Sequence, residues 1–242
     1  MWNRKDLKAK GKAAFRANYW PSVLAALIAF ALSAGGFATV GNNASETTAE
    51  QTAAIEQELE GIPPETALTI LLIVLGVIIV TAIVTTLISA FLFNPLRVGC
   101  MRFFTVNSDA PAKLSELGYG YKSNYLNSVK TLLLKDIFIG LWSLLFVIPG
   151  LVKAYSYRLT PYILAENPSL SSTEAITLSR KMMNGQKWRA FVLDLSFLGW
   201  DILAGLTLGV VGIFYSFPYV CATDAELYKA IRDSYQETAE AL

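Results

Sequence analysis

Five charged side chains lie within or beside apolar segments, where an ionisable group could do chemistry. Charge at membrane depth is costly, so such residues are candidates for an ion or proton path. Asp194 and Asp201 are seven residues apart, which puts both carboxylates on one face of a helix. The full predicted intramembrane polar cluster is Asp136, Lys153, Arg158, Asp194 and Asp201.

A structural role is the alternative for this cluster. Asp136 and Asp194 are near predicted helix N-termini, where the helix dipole stabilises a carboxylate. Lys153 and Arg158 have long side chains that can reach the membrane interface. Asp201 has no such simple explanation, so a transport role would depend on it. A structural ion pair or an interface position is the alternative for Asp201.

Catalytic motifs are missing from the sequence. It contains no histidine, the commonest general base near neutral pH, and its two cysteines cannot form a four-ligand zinc site. It has no phosphate-binding glycine loop, HExxH motif, nucleophile elbow or Cys-x-x-Cys motif. The sequence therefore predicts no enzyme activity, no cofactor and no metal site. An enzyme acting on lipid is a lower-ranked alternative that would need convergent carboxylates or a nucleophile at one leaflet.

The composition is typical of an integral membrane protein. Of the 242 residues, 54% are hydrophobic and 16% charged, whereas a soluble domain carries about 25% charged residues. The formal net charge of +1 gives no reason to expect a nucleic-acid partner. We predict an all-α fold, a polytopic transmembrane bundle of about six membrane helices with additional amphipathic cytoplasmic helices.

The apolar runs place the predicted membrane helices, each close to the roughly 20 residues that span a bilayer or somewhat shorter. Pro149 and Gly150 are the predicted turn between the third and fourth, and one kinked helix, giving five in all, is the alternative. Gly205 and Gly209 have a small-xxx-small spacing suited to close helix packing. The six ranges are 20–40, 67–93, 136–149, 151–166, 188–204 and 206–222.

Charge sorting predicts the topology, because basic residues favour the cytoplasmic side. The N-terminus is predicted to be cytoplasmic, although a cleaved signal peptide is an alternative. The C-terminus is cytoplasmic if there are six helices. Ser171 and Glu174 have the spacing of a capping box. The segments outside the membrane are a basic amphipathic helix (1–19), an acidic extracytoplasmic loop (41–66), a basic cytoplasmic segment (94–135), a cytoplasmic helix (171–187) and a C-terminal tail (223–242).

The expected partner is the lipid bilayer. An amphipathic helix with a basic face binds anionic leaflets, and the predicted contacts to anionic lipids are Arg4, Lys5, Lys8 and Lys12. A basic anchor that only sets the topology is the alternative. A membrane protein partner is a further expectation, and nucleic acid is not.

Three stretches together carry a family resemblance. Combined with the basic N-terminus, they resemble the bacterial integral membrane family called domain of unknown function 975, over nearly the whole chain. A looser similarity links them to the membrane domain of some glycerophosphodiester phosphodiesterases. The stretches are NPLRVG (Asn94–Gly99), the Ile148–Gly150 turn with YSYRLTPYILAEN (Tyr155–Asn167), and EAITLSRKMMNGQKW (Glu174–Trp188) with FVLDLSFLGW (Phe191–Trp200).

The resemblance implies a helical bundle in the plasma membrane of a Gram-positive-type bacterium. It implies no established activity and supplies no catalytic residues. The leading hypothesis is therefore a non-enzymatic scaffold or accessory protein that binds membrane partners or lipids. The alternative is a transporter of ions or small solutes that uses Asp201.

Overall fold

The computed structural model of the chain describes residues 2–41 and 63–240, and within them every regular element is helical. The chain forms two compact units. One, which we call the core unit, is Met1–Ala31 together with Ala90–Leu242, and the second is Leu32–Ser89. The predicted all-α class is therefore confirmed. Most of the predicted acidic loop, 42–62, lies outside the described residues.

Two helices form the N-terminal part. Helix α1 (Arg4–Ala17) begins at Asn3, whose side chain accepts a hydrogen bond from the Lys5 amide at 3.0 Å. Helix α2 (Tyr19–Gly41) follows after a bend of 111°. The apolar face of α1, formed by Leu7, Gly11 and Phe15, is buried. This face packs against the last helix of the chain, so it is not free to lie on a membrane surface.

A long apolar region follows the undescribed segment. It consists of α3 (Pro64–Ile88), a π-helical turn (Ser89–Phe93) and α4 (Asn94–Asn107). Among the described residues, Glu65–Asn107 is the one stretch long and apolar enough to cross a membrane, and the bent pair α1–α2 adds a second if it is counted as one span. These one or two helices are a weak structural indication of a membrane location. Six membrane helices are not confirmed.

The predicted helical hairpin in the middle of the chain exists, but its turn is displaced. Helix α6 (Tyr125–Leu145), which follows the short α5 (Tyr119–Lys122), ends at Phe146, which is extended with φ −158°. Helix α7 (Val147–Ser156) therefore contains Pro149 and Gly150. Proline is tolerated in a first turn because the N–H groups there lack helical partners anyway.

Gly150 has a packing role instead of a turn role. A Cβ atom built on it would lie 2.7 Å from the Cα of Ser143 and 2.2 Å from its Oγ. The two arms of the hairpin therefore approach closely at this position, and only glycine leaves room for that approach. The sequence therefore marks the correct position, but Gly150 serves the close packing of the two helices and not the turn.

The C-terminal half differs most from the prediction. The expected membrane helix at 188–204 is two short helices, α10 (Lys187–Leu195) and α11 (Leu198–Leu206). The end of the predicted membrane helix, 217–222, and nearly all of the predicted tail, 223–242, form one 24-residue helix, α12 (Phe217–Glu240). A π-helical turn (Gly212–Ser216) precedes it. The remaining helices are α8 (Thr160–Glu166) and α9 (Ser172–Met182).

Gly205 and Gly209 do not mediate close helix packing. A Cβ atom built on either glycine meets no atom within 4 Å among the described residues. Gly209 has φ +86° and its neighbour Leu208 has φ +50°, so the chain turns here. The physical role of Gly209 is backbone freedom at a left-handed position.

Helix α12 is central to the core unit. It packs against α1 and α4, and its side chains Ala222, Ala225 and Leu227 are at most 1% exposed. Tyr228 stacks on Tyr162 of α8, with ring centroids 5.0 Å apart. A segment predicted as a C-terminal tail therefore contributes to the packed interior of the core unit.

Candidate functional site

A three-residue ion cluster lies inside the core unit, and we call it the Arg158 centre. Arg158 donates two hydrogen bonds to Asp194, from Nη1 to Oδ2 at 2.7 Å and from Nη2 to Oδ1 at 2.9 Å. Its Nη2 also donates to Oδ1 of Asp224 at 2.7 Å. The Tyr155 hydroxyl donates to Oδ2 of Asp194 at 2.7 Å. All three charged side chains are 19–35% exposed.

Three elements supply these groups. Arg158 lies in the short link between α7 and α8, Asp194 in the last turn of α10, and Asp224 in α12. The link is held by Ser179 of α9, which accepts from the Leu159 amide at 3.2 Å and donates to the Ser156 carbonyl at 2.9 Å. The backbone on both sides of Arg158 is thus held in place by Ser179.

The electrostatics are those of one cation facing two acids. Burial raises the pKa of Asp224, and the nearby Asp194 carboxylate adds to this, although Arg158 acts in the opposite direction. A planar guanidinium that binds one carboxylate with two parallel hydrogen bonds is the strong form of such a pair. Its remaining bond to Asp224 joins α10 and α12 through the same side chain. The arrangement is suited to holding helices together.

A second polar cluster joins α8 to α12. The Tyr228 hydroxyl donates to Oε2 of Glu166 at 2.7 Å, and Arg232 bonds the other carboxylate oxygen of Glu166. Arg232 also contacts Asp233 at 2.8 Å. Burial and the neighbouring Glu166 carboxylate raise the pKa of Tyr228. The C-terminal end of α8 is therefore joined to α12 by a network of hydrogen bonds and ion pairs.

The structure brings together two of the five residues in the predicted polar cluster. Arg158 and Asp194 form the ion pair described above. The structural alternative expected Asp194 near a helix N-terminus and Arg158 at the membrane interface, whereas Asp194 lies in the last turn of α10. Asp136 pairs with its neighbour Lys135 at 2.9 Å. The ammonium of Lys153 lies 4.5 Å from the centre of the Trp142 ring. Asp201 is exposed in the first turn of α11 and makes no ion pair with any described residue.

Sequence reasoning missed Asp224 and Tyr155. Asp224 lies in the segment that the sequence predicts to be a C-terminal tail, 223–242. The signal that would have found it is helical periodicity, since Ala222, Ala225 and Tyr228 recur every three residues beyond the predicted membrane helix. The sequence context of Tyr155 carries no sign of a partner.

The four cations predicted to bind anionic lipid have different surroundings. Lys8 is engaged within the core unit, where its Nζ donates to the Ser196 carbonyl at 3.0 Å and lies 4.0 Å from the centre of the Phe197 ring. Arg4 and Lys5 are exposed and Lys12 half-buried, and none of the three pairs with a carboxylate of the described chain. Three of the four are therefore available to an external anion.

The acidic and cysteine side chains of the described residues do not group into a metal site. Within residues 2–41 and 63–240, no three or more acidic or cysteine side chains come together in a way that could hold a metal ion. Both cysteines are free thiols; Cys100 is buried and Cys221 half-buried.

One family matches the chain. Residues 144–235 match the family described as "Protein of unknown function (DUF975)". The predicted family resemblance is confirmed over this segment. The DUF975 segment contains the Arg158 centre, Tyr155 and the Glu166 network in full. No curated protein and no solved structure matches the chain, and the looser similarity to the phosphodiesterase membrane domain stays a prediction.

Proposed function

We propose that the protein is a non-enzymatic accessory protein or scaffold embedded in a membrane, where it binds lipids or membrane partners. The observation that carries the proposal is the distribution of exposed apolar side chains. Helix α3 has no charged residue after Glu65, and its large apolar side chains, such as Leu71 and Ile73 at 61%, are exposed. A continuous apolar surface of this kind is unfavourable in water, whereas it is favourable against lipid.

The tip of the α6–α7 hairpin supports the same conclusion. Five consecutive apolar residues there are 64–84% exposed. The apolar part of α6 beyond Asp136 and the ten-residue helix α7 each rise about 15 Å at roughly 1.5 Å per residue. That is about half of the roughly 30 Å hydrocarbon core. The hairpin therefore fits one leaflet, entering and leaving on the same side. The five tip residues are Leu144, Leu145, Phe146, Val147 and Ile148.

A second apolar tip lies between α11 and the π-helical turn before α12. Leu206 is 77% exposed and Leu208 is 95% exposed, and the chain reverses at Gly209. These short elements replace the two full membrane helices predicted for 188–222. Their lengths, nine residues for α11, again suit partial insertion rather than a crossing.

The polar clusters support a non-enzymatic role. The guanidinium of Arg158 is bonded to both acids, and the hydroxyls of Tyr155 and Tyr228 are donated to carboxylates. Groups satisfied by one another are not poised to act on a substrate. A transporter using Asp201 is the competing proposal. It depends on Asp201, which is exposed in the first turn of α11.

We place the N-terminus on the cytoplasmic side of a bacterial plasma membrane, with the chain entering the bilayer several times. The basic face of α1 supports this orientation through the preference of cationic segments for the cytoplasmic leaflet. Arg4, Lys5, Lys10 and Arg16 on this helix are exposed. The packing of the C-terminal helix α12 on α1 supports a cytoplasmic C-terminus as well.

The proposal is tested with the full chain expressed in a bacterial membrane. The protein should remain in the pellet after alkaline carbonate extraction, and its release into the supernatant would contradict membrane embedding. Proteoliposomes containing the protein should show no ion or solute flux above empty vesicles. A flux that the variant Asp201→Asn abolishes, with the same amount of folded protein, would replace the accessory role with the transporter.

A further inference from the structure

A groove on the core unit lies where the start of α1 meets the start of α10. It has a volume of about 510 Å³ and is lined by Trp2, Asn3, Arg4, Trp188, Arg189 and Val192. We infer that this groove binds the phosphate headgroup of an anionic phospholipid, with an acyl chain along α10. The inference rests on the proposed membrane location and adds a specific ligand class and site to it.

The wall of the groove is held in place by contacts between its own residues. The indole Nε1 of Trp2 donates to Oε1 of Gln186 at 3.0 Å. The guanidinium of Arg189 lies 4.3 Å from the centre of the Trp2 ring and bonds the Trp2 carbonyl through Nη2. A stacked arginine with one nitrogen engaged has limited freedom, so its guanidinium is held at the wall of the groove.

The groove has unbalanced positive charge. Neither Arg4 nor Arg189 forms an ion pair with a carboxylate in the described part of the chain, although seven such pairs occur elsewhere in it. The Nη1 atom of Arg189 is buried and has no hydrogen-bond acceptor among the described residues. A buried unsatisfied donor calls for an acceptor, and a phosphate oxygen is the acceptor that arginine binds best.

An apolar stripe leads away from the cationic end of the groove. Trp188, Val192 and Leu195 are spaced i, i+4 and i+7 on α10, so they share one face. Trp188 is 72% exposed and Leu195 is 53% exposed, with Val192 half-buried between them. Tryptophan beside cationic residues is typical of the membrane interface. A ligand with an anionic head and an apolar tail matches this order, whereas a free phosphate matches only the head.

The test uses the full chain in a neutral detergent and titrates it with dioctanoyl phosphatidylglycerol, dioctanoyl phosphatidylcholine and glycerol phosphate, with binding followed by calorimetry. The variant pair Arg4→Gln with Arg189→Gln removes the two cations of the groove. The matched control is Lys10→Gln with Arg16→Gln, which removes the same charge from α1 outside the groove. Arg4→Gln alone is included because Arg4 is exposed and forms no ion pair with a described residue, so we expect this variant to stay folded even if Arg189→Gln does not.

We expect saturable binding of phosphatidylglycerol that weakens about tenfold or more in the groove pair, since tenfold corresponds to about 1.4 kcal/mol, and less than twofold in the control pair. Arg4→Gln alone should weaken phosphatidylglycerol binding by a factor between those of the two pairs. Equal weakening in both pairs would reduce the effect to surface charge and overturn the site. Binding of phosphatidylcholine or glycerol phosphate as tight as phosphatidylglycerol would overturn the lipid assignment. Carbonate extraction of the groove pair separates the two proposals, because loss of the site leaves the protein in the pellet.

Discussion

Arg158→Met is the perturbation that most directly tests the role of the Arg158 centre. The substitution keeps an unbranched apolar stem and removes three hydrogen bonds of 2.7–2.9 Å to Asp194 and Asp224. Removing one partner of a buried pair costs about 3–5 kcal/mol because it leaves an unpaired charge in the interior. The Arg158 side chain retains 19% exposure, so we expect the lower end of that range, about 3 kcal/mol.

The assay is the free energy of unfolding of the full chain in detergent, from denaturant titration followed by circular dichroism. Arg180→Met is the matched control, because Arg180 is exposed and pairs with no carboxylate among the described residues. The triple variant Arg158→Met, Asp194→Asn, Asp224→Asn should recover part of the loss, since it leaves no buried charge. A loss in Arg158→Met no larger than that in Arg180→Met would refute the structural role.

Two further predictions concern helix packing and pH. Gly11→Val should destabilise the core unit by about 1–3 kcal/mol through overpacking, because a Cβ atom on Gly11 would lie 2.8 Å from the Cα of Thr223; thermal unfolding measures it. The raised pKa of Asp224 means that the folded state holds a proton that the unfolded chain has lost as pH rises above 3.8, so the free energy of unfolding falls as pH rises through this window. Asp224→Asn should flatten this slope, which denaturant titrations at a series of pH values would show.

Each of these two predictions has a control or an outcome that would contradict it. Gly140→Val is the control for Gly11→Val, because a Cβ atom on Gly140 meets nothing within 4 Å. Equal destabilisation by both would mean that helix propensity, not the α1–α12 contact, causes the loss. For Asp224→Asn, a pH slope as steep as that of the unchanged protein would show that another group titrates.

Local signals were the most successful part of the sequence interpretation. The predicted capping box at Ser171 and Glu174 is present, with both reciprocal hydrogen bonds. These features depend on residues within one or two turns of each other, so the sequence pattern contains the whole interaction. The amphipathic α1 was predictable for the same reason.

Long-range features were less predictable. Hydropathy alone assigned full membrane helices to 136–149 and 188–204, although an apolar run of 10–15 residues is consistent with a partly inserted or interfacial element as well as a span. The pairing of Arg158 with Asp224 joins residues 66 positions apart. Such a contact depends on the packing of α12 beside α8, which the prediction of a C-terminal tail at 223–242 did not include. The tight approach at Gly150 was similarly attributed to a turn.

The central claim, that apolar tips of the core unit enter the bilayer, is most directly tested by depth-dependent fluorescence quenching. Phe146→Cys in a background with Cys100→Ala and Cys221→Ala would carry an environment-sensitive label in vesicles of brominated lipid. Lys10→Cys is the matched site on the exposed face of α1. The account predicts strong quenching by lipid bromine and little by aqueous iodide at position 146, with the reverse at position 10. Free access of iodide to position 146 in folded protein would contradict the account.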